Sequence, residues 1–247
     1  MARYLLLILL GCLVCPKLEA QSSEEENRKA KPGSLTFTGL MTTRGLGIDA
    51  AYAVGNERRQ FRFGLEVRQI RDDHEAHIDP VRPERGSRYI YGKLNSLTQI
   101  NPTVGVEWNL VPLSRLNLFN VRVGLTAGPG IGLLNPYYLT VCLSSGGQAC
   151  TPEIQAYDPD RHNFFNIQGR APIGGGDFAP EVRLGGTLGG YALVDLSARE
   201  AYINGLVFGF RVDAFTERMP LVVETSMLQN QQVFLTASLG LVLGSRW

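Results

Sequence analysis

The chain has 247 residues, 44% of them apolar, and a formal net charge of +1. That balance offers no electrostatic argument for nucleic acid or a strongly acidic partner, and no run reaches the 18 or so apolar residues of a membrane-spanning helix. Glycine is abundant at 28 residues, whereas only Lys17, Lys29, Lys31 and Lys93 are lysines among 24 basic residues.

The first residues, Met1-Ala2-Arg3, are followed by an apolar run from Tyr4 to Cys15 and by Leu18-Glu19-Ala20. A short basic start, an apolar core and a small residue describe a secretory signal peptide over 1–20, cleaved before Gln21. An uncleaved anchor is the alternative, but the run is too short for about 30 Å of hydrocarbon; acylation at Cys12 or Cys15 is a third reading. Residues 21–33, with Glu24-Glu25-Glu26 and then Arg28, Lys29 and Lys31, read as a flexible periplasmic lead-in to a single domain over 34–247.

From Leu35 the dominant signal is period-two alternation, which predicts strands and not helices. It recurs in eight segments, starting near Leu35, Leu46, Phe61, Thr103, Leu118, Glu181, Asn204 and Val233. In the last, Val233, Leu235, Ala237, Leu239, Leu241 and Leu243 point one way and Thr236, Ser238, Gly240, Gly244 and Arg246 the other. Short connections at Gly55-Asn56-Glu57, Pro112-Leu113-Ser114 and Ser197–Ile203 alternate with long loops of about 72–96, 129–180 and 217–231. The pattern predicts an all-β, eight-stranded antiparallel transmembrane β-barrel with short periplasmic turns and longer outer loops. The first hairpin, at Thr43-Arg44, is the one short turn on the outer side.

Alternation alone does not say which face is inside, since a lipocalin-type barrel would bury the apolar face. Three features choose the membrane. Glycines such as Gly64, Gly105, Gly124, Gly205 and Gly240 lie on the polar face, as suits a crowded lumen. That face carries Arg with Asp and Glu but no lysine, which suits an enclosed ion-pair network. The predicted network is Asp49, Arg62, Glu66, Arg68, Glu107, Arg122, Arg183, Asp195, Arg211, Asp213 and Arg246. The apolar face is free of charge in seven strands, and a charge there would cost about 2–4 kcal/mol at mid-depth. Tyr52, Trp108 and Trp247 fall toward strand ends, where an aromatic girdle belongs. Trp247 also closes the last strand in the manner of an assembly signal.

Four spaced patches carry a resemblance: Asp73-His74-Glu75, Tyr91-Gly92-Lys93-Leu94-Asn95, Asn135-Pro136-Tyr137-Tyr138-Leu139 and Gly244-Ser245-Arg246-Trp247. In their order and spacing the chain resembles a family of small, mostly uncharacterised outer-membrane barrels of Bacteroidota-type bacteria. The resemblance implies the barrel fold and an outer-membrane location in a diderm bacterium, and it supplies no catalytic residue.

Candidate sites are few. Cys142 and Cys150, eight apart in an exported chain, read either as a disulfide closing a small loop or as two free thiols. His74, Glu75 and His77 could meet a divalent metal, although their spacing is not that of a helical His-Glu-x-x-His site. The loop serines Ser87, Ser96, Ser144 and Ser145 are tied to no histidine by spacing. Gly146-Gly147 and Gly174-Gly175-Gly176 lack the strand-to-helix context of a phosphate loop. The expectation is a non-enzymatic barrel with no cofactor. Its partners would be outer-membrane lipid, the barrel assembly machinery through the C-terminal strand, and an envelope protein or surface glycan at the loops. The alternatives are a narrow conduit or small-solute binder using the lumen charges, and a lipid-modifying enzyme at the rim.

Overall fold

The computed structural model describes residues 33–56, 58–80, 87–111, 120–142, 151–172, 174–177, 179–197, 201–226 and 228–247. The leader at 1–20, most of the lead-in, Cys150, Ser144, Ser145, Gly146-Gly147 and the turn at Pro112 lie outside the described residues. In chain order the strands are β1 (Gly33–Thr42), β2 (Gly45–Gly55), β3 (Arg59–Ile70), β4 (His77–Ile78), β5 (Tyr89–Ile90), β6 (Asn95–Val111) and β7 (Asn120–Pro136). They continue as β8 (Tyr138–Val141), β9 (Glu153–Ala156), β10 (Ile167–Arg170), β11 (Glu181–Asp195), β12 (Tyr202–Phe215) and β13 (Val233–Arg246).

The eight long strands close into an antiparallel barrel in the order β1, β2, β3, β6, β7, β11, β12, β13. Each predicted segment is one barrel strand. The ring closes where β1 pairs with β13 from Ser34↔Arg246 to Thr42↔Ser238. Gly33 and Trp247 extend it by exchanging backbone bonds of 3.2 and 3.1 Å. Closure leaves no open sheet edge, which is what a sheet in hydrocarbon requires.

Alternation then sorts the side chains. Outward residues such as Leu241 (67% exposed) and Ile48 (66%) form an uncovered apolar belt, whereas the inward Asp195 and Asp213 are fully buried. This is the inverse of a soluble barrel. At the short-turn end Tyr52 stacks on Trp247, ring centroids 6.1 Å apart, and Trp108 and Tyr202 are also outward and exposed. The lumen is not polar throughout: Leu193, Ile203, Val207 and Val242 make a small apolar wall within it.

Two strands run further than the alternation indicated. β6 begins at Asn95 and β7 continues to Pro136, so the second long loop starts about eight residues later than expected. The glycine- and proline-rich stretch Gly128–Gly132 hides this continuation. In the same stretch the β6–β7 ladder lapses: Ile100 pairs with Ile131 and Val104 with Ala127, but no pair forms between. The intervening register sets Pro102 against Pro129. Proline has no N–H to donate, so the two bonds these residues would exchange cannot form. Both prolines face outward near mid-strand, beside a shallow cavity of about 540 Å³ in the apolar belt.

Candidate functional site: a filled lumen under a folded cap

Inward-facing charges gather in two groups. Toward the short-turn end, Glu107 accepts from Arg122 Nη1 at 2.7 Å and from the Tyr191 hydroxyl at 2.6 Å. Arg122 Nη2 also stands 3.6 Å from Asp195. Asp195 pairs with Arg246 and accepts from the Ser197 backbone N–H at 3.0 Å and the Ser197 hydroxyl at 2.5 Å. Arg62 pairs with Asp49 and lies over the Tyr191 ring, 5.0 Å from its centroid.

Higher up, Arg68 sits between Glu66 at 2.6 Å and Asp213 at 2.7 Å, and Gln99 donates to Asp213 at 3.0 Å. Arg211 pairs with Glu66 and donates to Thr187 at 3.1 Å. Ten of the eleven predicted network residues therefore face one another in the lumen. Arg183 is the exception. It lies at the long-loop rim, pairing with Glu181 at 2.5 Å and with Glu217. Alternation gave its face correctly but could not give its height along the strand.

These side chains fill the barrel. The space left between them is about 60 Å³, room for a few waters at about 10–15 Å³ each. Ser34, Asp49, Thr126 and Thr236 line it, and each holds a buried oxygen with no protein partner, the setting in which internal water is expected.

Glycine makes the filling possible. A Cβ on Gly124 would stand 2.3 Å from Tyr191 Cζ, whereas one on Gly186 would meet only an oxygen 3.9 Å away. Gly124→Val is therefore expected to push Tyr191 off Glu107 and to destabilise the barrel by about 1–3 kcal/mol. Gly186→Ala should be close to neutral. Equal urea midpoints for the two variants would contradict this packing.

The long-loop end is closed by an apolar stopper. Phe215, Met219, Leu221 and Val222, from β12 and the connection after it, pack against Ile70, Leu97, Leu134 and Phe234. Phe234 occupies an inward position among polar neighbours because it meets this cluster and Phe215, 5.9 Å away edge to face. Asn230 fixes the connection by accepting from the backbone N–H groups of Leu221 and Val222 at 2.9 and 3.1 Å.

Above the stopper the long connections are not separate solvated loops. They fold into one cap containing a β10-β8-β9 sheet and a β4-β5 pair. Its core is Tyr89, Ile90, Tyr137, Leu139, Val141, Tyr157 and Ile167. Lys93 is buried there, 2.5 Å from Glu75, with its ammonium 5.6 Å from the Tyr137 ring centroid. Burial holds the Lys93 ammonium below its ordinary pKa although Glu75 pulls it upward. Leu94 N–H donates to Leu221 at 2.8 Å and Asn95 Nδ2 to Pro220 at 2.7 Å, which ties cap to stopper.

The three metal candidates do not converge. His74 Nδ1 is 2.7 Å from Asp72, Glu75 is turned inward to Lys93, and His77 pairs with Ile90 in the β4-β5 ladder. Ser87 donates to the carbonyl of Arg170 at 3.1 Å. Cys142 directly follows β8, and its N–H donates to the Asn166 carbonyl at 2.8 Å; the choice between disulfide and free thiols also needs Cys150, outside the described residues.

His162, in the connection between β9 and β10, is a buried support of the cap. Its Nδ1 accepts from Asp158 N–H at 3.0 Å, and Nε2 is 3.2 Å from Gln155 Oε1. The accepting Nδ1 requires the neutral ring, and burial lowers the pKa. Above about pH 6.5 the ring is neutral whether folded or unfolded. As pH falls through that value toward the depressed folded pKa, the unfolded segment binds the proton first, so the turn loses stability. Protease nicking between 153 and 167 should therefore be faster at about pH 5 than at about pH 7.5. A flat profile, or one unchanged in His162→Gln, would remove this role.

No family model matches the chain, and no curated protein matches it. Among solved structures it is similar to Neisserial surface protein A, with a TM-score of 0.46 at 6% identity, over 87% of this chain and 96% of that one. It is similar to Ail of Yersinia pestis, solved with the heparin analogue sucrose octasulfate, with a TM-score of 0.38 at 9% identity over 87% and 97%. The N-terminal β-barrel domain of Pseudomonas aeruginosa OprF gives 0.37 at 7% identity over 88% and 98%. At these identities the likeness is one of fold alone.

Proposed function

We propose that this chain is a non-enzymatic outer-membrane barrel that anchors a folded cap at the cell surface, where the cap engages an envelope protein or surface glycan. The observation that carries the membrane placement is the inverted polarity of a closed barrel, with an uncharged outward belt and the ion pairs inside. Only a hydrocarbon surround makes both faces favourable at once. The signal-peptide pattern at 1–20 supports export, and the alternation of β13 with the exposed aromatic Trp247 beside it supports recognition by the barrel assembly machinery. Three of the four family-like patches supply the cap's Glu75, Lys93 and Tyr137, which favours kinship with the Bacteroidota-type barrels. A Cys142–Cys150 disulfide would staple the cap beside β8 and would appear as a mass shift on reduction.

The interaction role rests on the cap having its own apolar core and presenting Phe164 and Phe165 at its surface, the latter 87% exposed. A conduit has against it the filled lumen and the stopper. A rim enzyme has against it that His162 is engaged by Asp158 and Gln155, and Ser87 by a backbone carbonyl.

The test is gel migration of the detergent-extracted outer-membrane fraction with and without boiling, followed by conductance in planar bilayers. The expected result is a compact unboiled species that boiling retards, with no steady conductance. A protein soluble without detergent would overturn the membrane placement, and a stable unit conductance would return the lumen to the conduit reading.

A further inference from the structure

The outward faces of three adjacent strands change character at one height. Along β3 the last apolar outward residue is Val67 and the next is Gln69; along β6, Ile100 gives way to Thr98 and Ser96; along β7, Leu133 gives way to Asn135. Register makes these neighbours, with Gln69 beside Thr98 and Ser96 beside Asn135. The outcome is a polar patch directly above the apolar belt.

A strap of the cap stands in front of this patch. Arg170 to Pro172 and Gly174 to Gly176 are held to Tyr138, whose carbonyl accepts from Ala171 N–H at 3.1 Å. The Tyr138 hydroxyl donates to the Asp177 carbonyl at 3.0 Å. The strap needs its glycines: Gly174 has φ +80°, and a Cβ on Gly176 would stand 2.3 Å from the Tyr138 ring. Between strap and wall lies a groove of about 400 Å³, within the roughly 300–1,000 Å³ of small-ligand sites.

Two polar groups at the groove lack a hydrogen-bond or ion-pair partner among the described residues. Asn135 Oδ1 is buried with no hydrogen bond, a state that costs about 1–3 kcal/mol unless something fills it. Arg170 is exposed, and among the described residues it makes no ion pair. The rest of the lining mixes hydroxyl, amide and aromatic groups with the apolar Leu133, Pro136, Ala171 and Pro172, and it includes no carboxylate.

We propose that this groove binds the phosphorylated saccharide headgroup of a glycolipid in the leaflet that borders the long-loop end. Ser96, Thr98, Gln69 and Asn135 meet the sugar hydroxyls, and Arg170 meets the phosphate. The occupant is a lipid and not a free sugar because the groove opens onto the wall immediately above Val67, Ile100 and Leu133, where acyl chains would run. The proposal rests on the membrane placement argued above.

The test uses the full barrel in phosphatidylcholine nanodiscs, with and without rough-type lipopolysaccharide as probe, and reads hydrogen exchange along 170–177. The wild type should be protected about tenfold at a probe concentration ten times its Kd. Arg170→Glu and Asn135→Leu should each lose that protection while keeping the compact unboiled gel form. Phosphatidylglycerol and inorganic phosphate should give none. Equal protection by either anion would reduce the site to charge attraction and overturn the headgroup. A correctly inserted wild type with no protection overturns the groove while leaving the membrane placement standing. A chain that fails to insert at all takes both down.

Discussion

Arg68→Met is expected to destabilise the barrel by about 3–5 kcal/mol, the usual cost of removing one member of a buried charged pair. Arg68 is the cation between Glu66 and Asp213, with its side chain only 2% exposed. Without it Asp213 keeps the Gln99 amide, at 3.0 Å, and Glu66 keeps Arg211. The group then holds an uncompensated negative charge in a lumen with space for only a few waters. The double variant Arg68→Met with Asp213→Leu removes both charges together and should recover most of the loss. Urea unfolding in lipid vesicles reads both variants. If the double variant falls as far as the sum of the single ones, the pair is not the interaction that matters.

Pro102→Val with Pro129→Val is expected to move stability the other way. Each substitution restores one N–H at the β6–β7 seam, opposite a carbonyl that has lost its donor. At about 1–3 kcal/mol for each otherwise unsatisfied carbonyl, the double variant should gain about 2–4 kcal/mol and unfold more slowly. Each single variant should gain about half. The new amides at 102 and 129 should be among the slowly exchanging ones. Fast exchange there with unchanged stability would mean that the seam satisfies its carbonyls in another way.

The barrel was legible because its signal is local. Leu235 to Leu243 alternates with Thr236 to Gly244, and no other element type produces that pattern over such a length. The polarity of the two faces was legible too, since the lysine-free strands match a lumen of arginine–carboxylate pairs; Lys93, the one lysine among the described residues, is in the cap. The cap was not legible. β8, β9 and β10 have four residues each, too few for alternation to separate from loop. Its core residues, Tyr89, Tyr137 and Tyr157, are far apart in sequence, so their shared burial exists only in the fold. Pro102 and Pro129 are visible singly as poor strand residues. Their opposition depends on register between two strands and cannot be read from either alone. The role of His162 was hidden similarly, because its partner Asp158 is a backbone N–H donor, and such a donor has no residue signature.

The ring closes between the first described strand and the last, so a ribosome or translocon must deliver the whole chain before β1 can meet β13. Until then each of the two carries a row of unpaired backbone groups, about nine register positions long, that lipid cannot satisfy. Losing β13 would thus remove far more than one eighth of the structure, because it would open both neighbours to hydrocarbon. Folding is all or none in time as well as in energy: a truncated chain should wait in solution with chaperones and proteases, and no half-barrel should accumulate in the membrane.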